Sequence, residues 1–140
     1  GLDYGCGPNP VFAKMLNQAG YPTNSYDPIF FPNLPKSTQS FVTCSEVVEH
    51  FIHPQQDFAD LFSRAGPASQ VFLMTEFYQE SFDFAQWHYI RDPTHVHFYC
   101  KETMKWLSKY FRRPVEIIGP RIAIYGPQQK LSPTGFWPIG

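Results

Sequence analysis

The fold of this chain is decided by the stretch GLDYGCGPNP, residues 1–10. Its first residues are typical of the end of a buried strand, and a turn containing Gly5 and Gly7 follows. Glycine adopts positive φ easily and lets a ligand approach the backbone, since it has no Cβ. Asn9 and Pro10 suit the cap and the first position of a helix. The stretch therefore predicts a strand, a tight turn and a helix, in that order.

Hydrophobic spacing along the rest of the chain predicts further helices and strands. Apolar residues at helical spacing run from Phe12 to Ala19, from Phe58 to Ala65 and from Lys101 to Phe111. A further helix is expected to begin between Glu46 and His50. Five segments are predicted strands, the last two of which form a hairpin: 21–26, 40–44, 70–75, 114–118 and 121–125. The segments 28–39 and 77–99 are predicted loops, and residues 127–140 are expected to be irregular.

Strands that alternate with helices predict an α/β fold, here a doubly wound, mostly parallel sheet with a C-terminal antiparallel hairpin. The length of 140 residues predicts a single domain over residues 1–140. In such sheets the ligand lies beyond the carboxyl ends of the strands. We therefore expect the site to be built from residues 3–10, Asp27, residues 44–50 and the loop after Thr75.

Composition restricts the class of partner. The net charge is −1, which argues against a strongly basic nucleic-acid surface. We expect no membrane segment, because the sequence contains no apolar run of about 18 residues, and we find no signal-peptide pattern. The three cysteines are odd in number and widely spaced, which favours reduced thiols and a cytoplasmic location. The oligomeric state is left open.

An acidic residue stands at the end of the second predicted strand. Asp27 lies 24 residues after Asp3, and a carboxylate at this place can accept both hydroxyls of a ribose. A pyrophosphate-binding turn would carry another glycine where this chain has Pro10. The pattern favours a nucleoside ligand without a pyrophosphate over a tight turn with a capping aspartate.

These residues, together with the segment SEVVEHFIHP at 45–54, resemble the class I S-adenosylmethionine-dependent methyltransferases. The resemblance implies their Rossmann-like sheet, shortened at the N-terminus and in the middle, where about a dozen residues separate Asp27 from the next strand. It implies S-adenosylmethionine as the cofactor. The residues that would bind it are Asp3, Gly5 and Gly7 beside its amino-acid part, Asp27 on the ribose, Pro28 and Ile29 near the adenine, and Ser45.

A second group of residues has the chemistry of metal ligands. Glu46, Glu49 and His50 are spaced i, i+3 and i+4, so a helix would present them on one face. Two carboxylates and an imidazole suit Mg²⁺ or Mn²⁺ and also admit Zn²⁺ or Fe²⁺. His95 and His97, within the segment DPTHVHFY at 92–99, are the candidates for a fourth ligand.

This arrangement resembles two metal-using branches of the family, the terminal ribose methyltransferases of small RNAs and the ubiquinone-pathway O-methyltransferases. In both, a Glu-x-x-Glu-His segment binds the ion, and in the first a downstream histidine completes the site. The resemblance implies His95 for that place, because its spacing to the following aromatic residue and helix matches better than that of His97. The alternative is that the segment binds no metal, with its acid capping a helix and its histidine packed at the end of the sheet. Both interpretations are carried forward to the structure.

The predicted loop 77–99 is rich in aromatic residues, and loops of this length are often functional. Aromatic walls suit a small or flat acceptor better than a long nucleic acid. We therefore predict methyl transfer to an acceptor oxygen, with His50 or His95 handling the acceptor proton directly or through a metal. Two alternatives remain: a non-catalytic S-adenosylmethionine-binding or protein-interaction module, and a metal-binding protein unrelated to methyl transfer.

Overall fold

The computed structural model describes residues 1–130, and the part of the irregular tail predicted beyond residue 130 lies outside them. Three α-helices occur in this range: α1 Val11–Gln18, α2 Pro54–Ser63 and α3 Lys101–Phe111. Six strands accompany them: β1 Leu2–Tyr4, β2 Asn24–Tyr26, β3 Gln39–Ser45, β4 Ala65–Met74, β5 Val115–Ile118 and β6 Ile122–Tyr125. None of the helices described is long and apolar enough to cross a bilayer.

The six strands form one sheet in the order β2-β1-β3-β4-β6-β5. The first four are parallel, whereas β6 runs antiparallel to both β4 and β5. This confirms the predicted α/β fold, with its mostly parallel sheet and C-terminal antiparallel hairpin. After β1 the chain passes through α1 to β2, which lies on one side of β1 in the strand order. After β3 it passes through α2 to β4, which lies in the opposite direction. The carboxyl ends of β1 and β3 therefore flank a topological switch point, where a crevice opens.

The core lies between the sheet and helices α2 and α3. Alternate residues of β3 and β4 point toward these helices, and Val42, Cys44, Val71 and Leu73 are each at most 1% exposed. Helices α2 and α3 meet there through stacked aromatic rings, which extend the core to the hairpin. Burying side chains of this size stabilises the fold by about 1.5–3 kcal/mol each. The sheet is thus held rigidly on one face, which fixes the positions of its strand ends.

Two predicted boundaries were wrong. The segment 46–50 does not begin a helix, because Glu46 has a left-handed φ of +54° and only one 3-10 turn, Val48–His50, follows it. The α-helix starts instead at Pro54, whose ring suits the first helical position. Strand β4 begins five residues earlier than predicted, at Ala65.

The early start of β4 depends on a buried arginine. Its pairing with β3 shifts between Gln39 and Phe41, so the strand begins with an irregular stretch whose carbonyl groups need donors. The Arg113 guanidinium is 3% exposed and donates to the carbonyl oxygens of Ala65, Gly66, Ser69 and Gly126 at 2.8–3.2 Å. This one side chain therefore supplies hydrogen-bond donors to carbonyl oxygens both at the start of β4 and at the end of the hairpin.

Replacing Arg113 with methionine is expected to destabilise the protein by at least about 2 kcal/mol, since a buried acceptor left without a donor costs about 1–3 kcal/mol. Urea unfolding measures the change. The control is Arg91→Met, which alters an exposed arginine in the same way. Equal unfolding midpoints for the two variants would contradict the assigned role.

Candidate active site

A cleft of about 680 Å³ opens at the carboxyl ends of β1, β2 and β3. Its lining includes six of the residues predicted for the site: Gly5, Gly7, Asp27, Pro28, Glu46 and His50. They come from three separate loops that the parallel sheet brings to one edge. The cleft therefore lies at the switch point, as the strand pattern predicted.

The turn after β1 needs glycine at two positions. Gly5 and Gly7 have φ values of +79° and +64°, in the left-handed region that side chains disfavour. A Cβ on Gly5 would lie 2.5 Å from a methyl carbon of Val47, whereas one on Gly7 would meet nothing within 4 Å. The backbone N–H groups of Gly5 and Cys6 donate to the carbonyl of Tyr26 at 2.8 and 3.0 Å. The turn is thus packed against the loop after β3 and bonded to the end of β2.

Asp3 lies beneath this turn and is 4% exposed. One carboxylate oxygen accepts from the backbone N–H of Ala13 at 3.2 Å, and the other accepts from the Thr43 hydroxyl at 3.1 Å. Burial raises the pKa of this carboxyl group above its ordinary value. Asp3 therefore connects β1 to α1 and β3, and its predicted place beside the cofactor's amino-acid part stays a prediction.

The carboxylate of Asp27 is fixed at the edge of the cleft by backbone donors. One oxygen accepts from the N–H of Gly7 at 3.1 Å, and the other accepts from Ile29 and Phe30 at 2.9 and 3.1 Å. Roughly three of the four lone-pair sites of the carboxylate are thus occupied, so Asp27 keeps one acceptor site, on the oxygen that accepts from Gly7, for a ribose hydroxyl. Of the other residues predicted to bind the cofactor, Ile29 is 77% exposed, and Ser45 is the last residue of β3, where it pairs with Met74.

Three of the four predicted metal ligands lie together. Glu49, His50 and His95 each offer one ligand atom, and these atoms all lie within 4.8 Å of one another. Glu49 is fully buried, and its Oε1 accepts from the Tyr89 hydroxyl at 2.5 Å. Its Oε2 has no hydrogen-bond partner among the described residues. Burial, and then the nearby charge of Glu46, raise the pKa of Glu49.

Both imidazoles are oriented by backbone carbonyl oxygens. His50 Nδ1 lies 3.0 Å from the carbonyl oxygen of Thr94, and His95 Nδ1 lies 2.8 Å from that of Tyr89. A carbonyl oxygen only accepts, so these contacts assign the proton to Nδ1 and leave the Nε2 lone pair free in the neutral ring. Nε2 of His95 also lies 3.7 Å from a carboxylate oxygen of the exposed Asp92. Anchored Nδ1 atoms of this kind are the usual outer shell of metal-binding histidines.

Glu46, the fourth predicted ligand, is held outside this group. Its Oε1 accepts from Arg121 at 2.9 Å, and its Oε2 lies 2.8 Å from the Tyr89 hydroxyl. Its backbone N–H donates to the carbonyl of Met74 at 2.8 Å, which fixes its left-handed conformation. Glu46 is therefore joined to Glu49 through Tyr89.

The loop that supplies Tyr89 and His95 has a small core of its own. Trp87 is 6% exposed, packs 5.2 Å from the Tyr89 ring and donates from Nε1 to Glu76 at 2.7 Å. Four other aromatic rings surround Trp87: Tyr78, Phe82, Phe84 and Phe98. The N–H groups of residues 96 and 97 donate to the carbonyl oxygen of Glu49 at 2.9 and 3.1 Å. The predicted aromatic loop is thus an ordered wall of the site.

Sequence reasoning missed Thr75 and Arg121 as parts of the site. It gave no individual role to Val47 and Tyr89, although both lie in segments that it assigned to the site. Arg121 lies in the hairpin turn, 75 residues after Glu46, and no local pattern connects the two. Tyr89 was visible only as one aromatic residue among many in its loop. The signal that could have found it is its position six residues before His95, in the segment that carries that ligand.

The strand order, with its mostly parallel sheet, antiparallel C-terminal pair and crevice at the switch point, defines a Rossmann-like α/β domain. Residues 1–111 match the model of a protein family described as a methyltransferase domain, and the chain belongs to that family. No curated protein sequence matches it.

Solved structures share this fold. An O-methyltransferase family protein from Burkholderia thailandensis has a TM-score of 0.63 at 9% identity, with 91% of this chain and 50% of that one covered. The mitomycin 7-O-methyltransferase MmcR has a TM-score of 0.59 at 12% identity, with 91% and 48% covered. The small RNA methyltransferase HEN1 has a TM-score of 0.55 at 17% identity, with 94% and 23% covered. The chain spans about half the length of the first two, and at these identities the likeness shows the fold alone.

The contact between Gly5 and Val47 generates a stability prediction. Gly5→Ala is expected to destabilise the protein more than Gly7→Ala, since both incur the left-handed backbone cost of about 1–2 kcal/mol but only the first meets Val47. Adding Val47→Ala to Gly5→Ala removes the clashing methyl groups and is expected to lessen the penalty that Gly5→Ala causes. Urea unfolding of the three variants and of Val47→Ala alone measures this, and strictly additive effects would contradict it.

Proposed function

We propose that this domain transfers a methyl group from S-adenosylmethionine to a hydroxyl oxygen of a small or flat acceptor, with a divalent ion held by Glu49, His50 and His95. The observation that carries the proposal is the place of His50, which lines the cleft and also belongs to the ligand cluster. One side chain thus links a nucleoside cleft to a group that can bind a metal. Membership of the methyltransferase family supports the methyl donor.

The chain's own residues suit the nucleoside part of that donor. Asp27 stands at the edge of the cleft with one acceptor site left for a ribose hydroxyl, and Gly7 leaves open space beside it. Pro28 supplies an apolar wall for the base. The bound sulfonium supplies an electrophilic methyl group. The protein's contribution is to hold donor and acceptor in line, which removes much of the entropic cost of the reaction.

The ligand cluster fits a divalent ion on two grounds. Glu49 has a buried oxygen without a partner, and a cation would offset the cost of that burial. His50 and His95 present free Nε2 lone pairs because their Nδ1 atoms are anchored. A divalent ion bound there supplies Lewis acidity toward an acceptor hydroxyl. In the absence of an ion, His95 or His50 is placed to accept the acceptor proton itself.

The charges around the cluster favour a small acceptor over a nucleic acid. Glu46, Glu49 and Glu76 converge on this side of the site, and Arg121 is already paired with Glu46 and 3.9 Å from Glu76. A phosphate backbone would be repelled by this acidic group, since Arg121 is already engaged with carboxylates. Two of the structural neighbours are O-methyltransferases by name, which supports an oxygen acceptor.

The cofactor part of the proposal is tested by calorimetric titration of S-adenosylhomocysteine. Asp27→Asn is expected to weaken binding by tenfold or more. If the amide oxygen keeps the N–H groups of Ile29 and Phe30, the NH₂ group replaces the oxygen with the free acceptor site and opposes the N–H of Gly7. Asp83→Asn is the control, since Asp83 also accepts from a backbone N–H, at Ala85, but lies in the aromatic loop. Equal affinity of Asp27→Asn and wild type would contradict the ribose role.

The catalytic part is tested by transfer of a radiolabelled methyl group to a panel of catechols and phenols, with Mn²⁺ or with EDTA. His95→Ala is expected to lower turnover by at least tenfold while S-adenosylhomocysteine affinity stays unchanged, because His95 belongs to the cluster and not to the ribose end of the cleft. The control His88→Ala removes an imidazole that is 69% exposed in the same loop.

Three results would redirect the proposal. Cofactor binding with no transfer to any acceptor indicates a binding module. If the chain binds a metal but not the cofactor, and Asp27→Asn leaves the metal affinity unchanged, the result indicates a metal-binding protein unrelated to methyl transfer. Preferred transfer to the ribose of a short RNA indicates a nucleic-acid substrate.

A further inference from the structure

Tyr89 contacts more of the site than any other residue of the aromatic loop. Its hydroxyl lies 2.5 Å from Glu49 Oε1 and 2.8 Å from Glu46 Oε2. Its backbone carbonyl oxygen lies 2.8 Å from His95 Nδ1, and its ring is 4.2 Å from the His95 ring. Two proposed ligands are therefore held by one residue, one through the side chain and one through the main chain.

The hydroxyl of Tyr89 has a defined direction because of a second hydroxyl behind it. Thr75 is 1% exposed, and its Oγ1 lies 3.1 Å from the Tyr89 hydroxyl oxygen. When Thr75 donates to that oxygen, the single proton of Tyr89 is available for a carboxylate. Glu49 lies closest, so the chain Thr75, Tyr89, Glu49 fixes one carboxylate oxygen. The other oxygen of Glu49, the unpartnered Oε2, is left for a ligand.

The packing around Tyr89 makes this arrangement rigid. Tyr89 is 6% exposed and its ring lies against Trp87, which is anchored to Glu76. A carboxylate held only by its own rotamers would lose more conformational freedom on binding an ion. Preorganisation of this kind raises affinity without adding a ligand.

We propose that Tyr89 is the positioning residue of the ion site, whose hydroxyl fixes Glu49 and whose carbonyl oxygen fixes His95, so that both face one cation. This inference rests on the ion site of the proposed function. It adds a residue that is not itself a ligand. Loss of such an outer-shell partner typically weakens metal binding roughly 10- to 100-fold.

The test is a calorimetric titration of Mn²⁺, repeated with Zn²⁺, into the metal-free chain. Tyr89→Phe removes only the hydroxyl and keeps the ring and the carbonyl oxygen. It is expected to weaken ion binding roughly 10- to 100-fold, while Glu49→Gln weakens it further. S-adenosylhomocysteine affinity is expected to stay within twofold, a split that general unfolding of the site would not produce.

Tyr78→Phe is the matched control, because it makes the same change in the same aromatic cluster at a residue that contacts none of the proposed ligands. Thr75→Val is the second variant, used should Tyr89→Phe fold poorly. It removes the donor behind Tyr89 and is expected to weaken ion binding in the same direction by a smaller factor.

The possible outcomes distinguish the role of Tyr89 from the existence of the ion site on which it rests. Weakened binding in Tyr89→Phe with normal binding in Tyr78→Phe supports the inference. Wild-type affinity in Tyr89→Phe, with loss in Glu49→Gln, overturns it and leaves the ion site standing. Failure of the wild type to bind either ion refutes the proposed ion site, and the inference falls with it.

Discussion

The parallel pairing of β1 with β3 is the constraint on which the site depends. The register joins Leu2 to Val42 and Asp3 to Thr43, so both strands end at the same edge of the sheet. The chain then leaves β1 toward one side and β3 toward the other, and neither connection covers that edge. Val47, in the loop after β3, packs into the space above Gly5 that only glycine leaves free. The same pairing that opens the cleft therefore brings the segment of Glu46, Glu49 and His50 against the glycine turn.

The energetics of Glu49 connect this architecture to chemistry. A carboxylate with no exposed surface is costly unless its oxygens are paired, and one oxygen of Glu49 has no partner among residues 1–130. The raised pKa of Glu49 records that cost. Beside it, Glu46 holds a left-handed backbone that residues with side chains disfavour. Strain and buried charge of this kind persist where the surrounding structure holds them in place, and they cluster at functional sites.

How much of this structure the sequence predicted depends on how far apart in the sequence the interacting residues lie. Periodicity and glycine placement predicted the sheet, its hairpin and the site edge, because these features depend on neighbouring residues and on topological rules. The expected helix at 46–50 was wrong because Glu46 bonds to Met74 on the adjacent strand. The early start of β4 depends on Arg113, which lies about 45 residues later. No local pattern reports such contacts, which also explains why Arg121 was missed and Tyr89 was given no individual role.

The site of the proposed function has a cofactor half and an ion half, which are built on different kinds of support. The cofactor half belongs to the sheet, where Gly5, Gly7 and Asp27 are fixed by strand ends and by backbone hydrogen bonds. The ion half depends on the 77–99 loop, whose aromatic core is separate from the main hydrophobic core except through Phe77 and Tyr99. Changes within that loop can therefore alter the acceptor wall while the sheet, and with it the cofactor cleft, keeps its geometry. A separation of this kind lets a fold keep one binding cleft while the loops on its rigid frame change, which is how one fold can serve many functions.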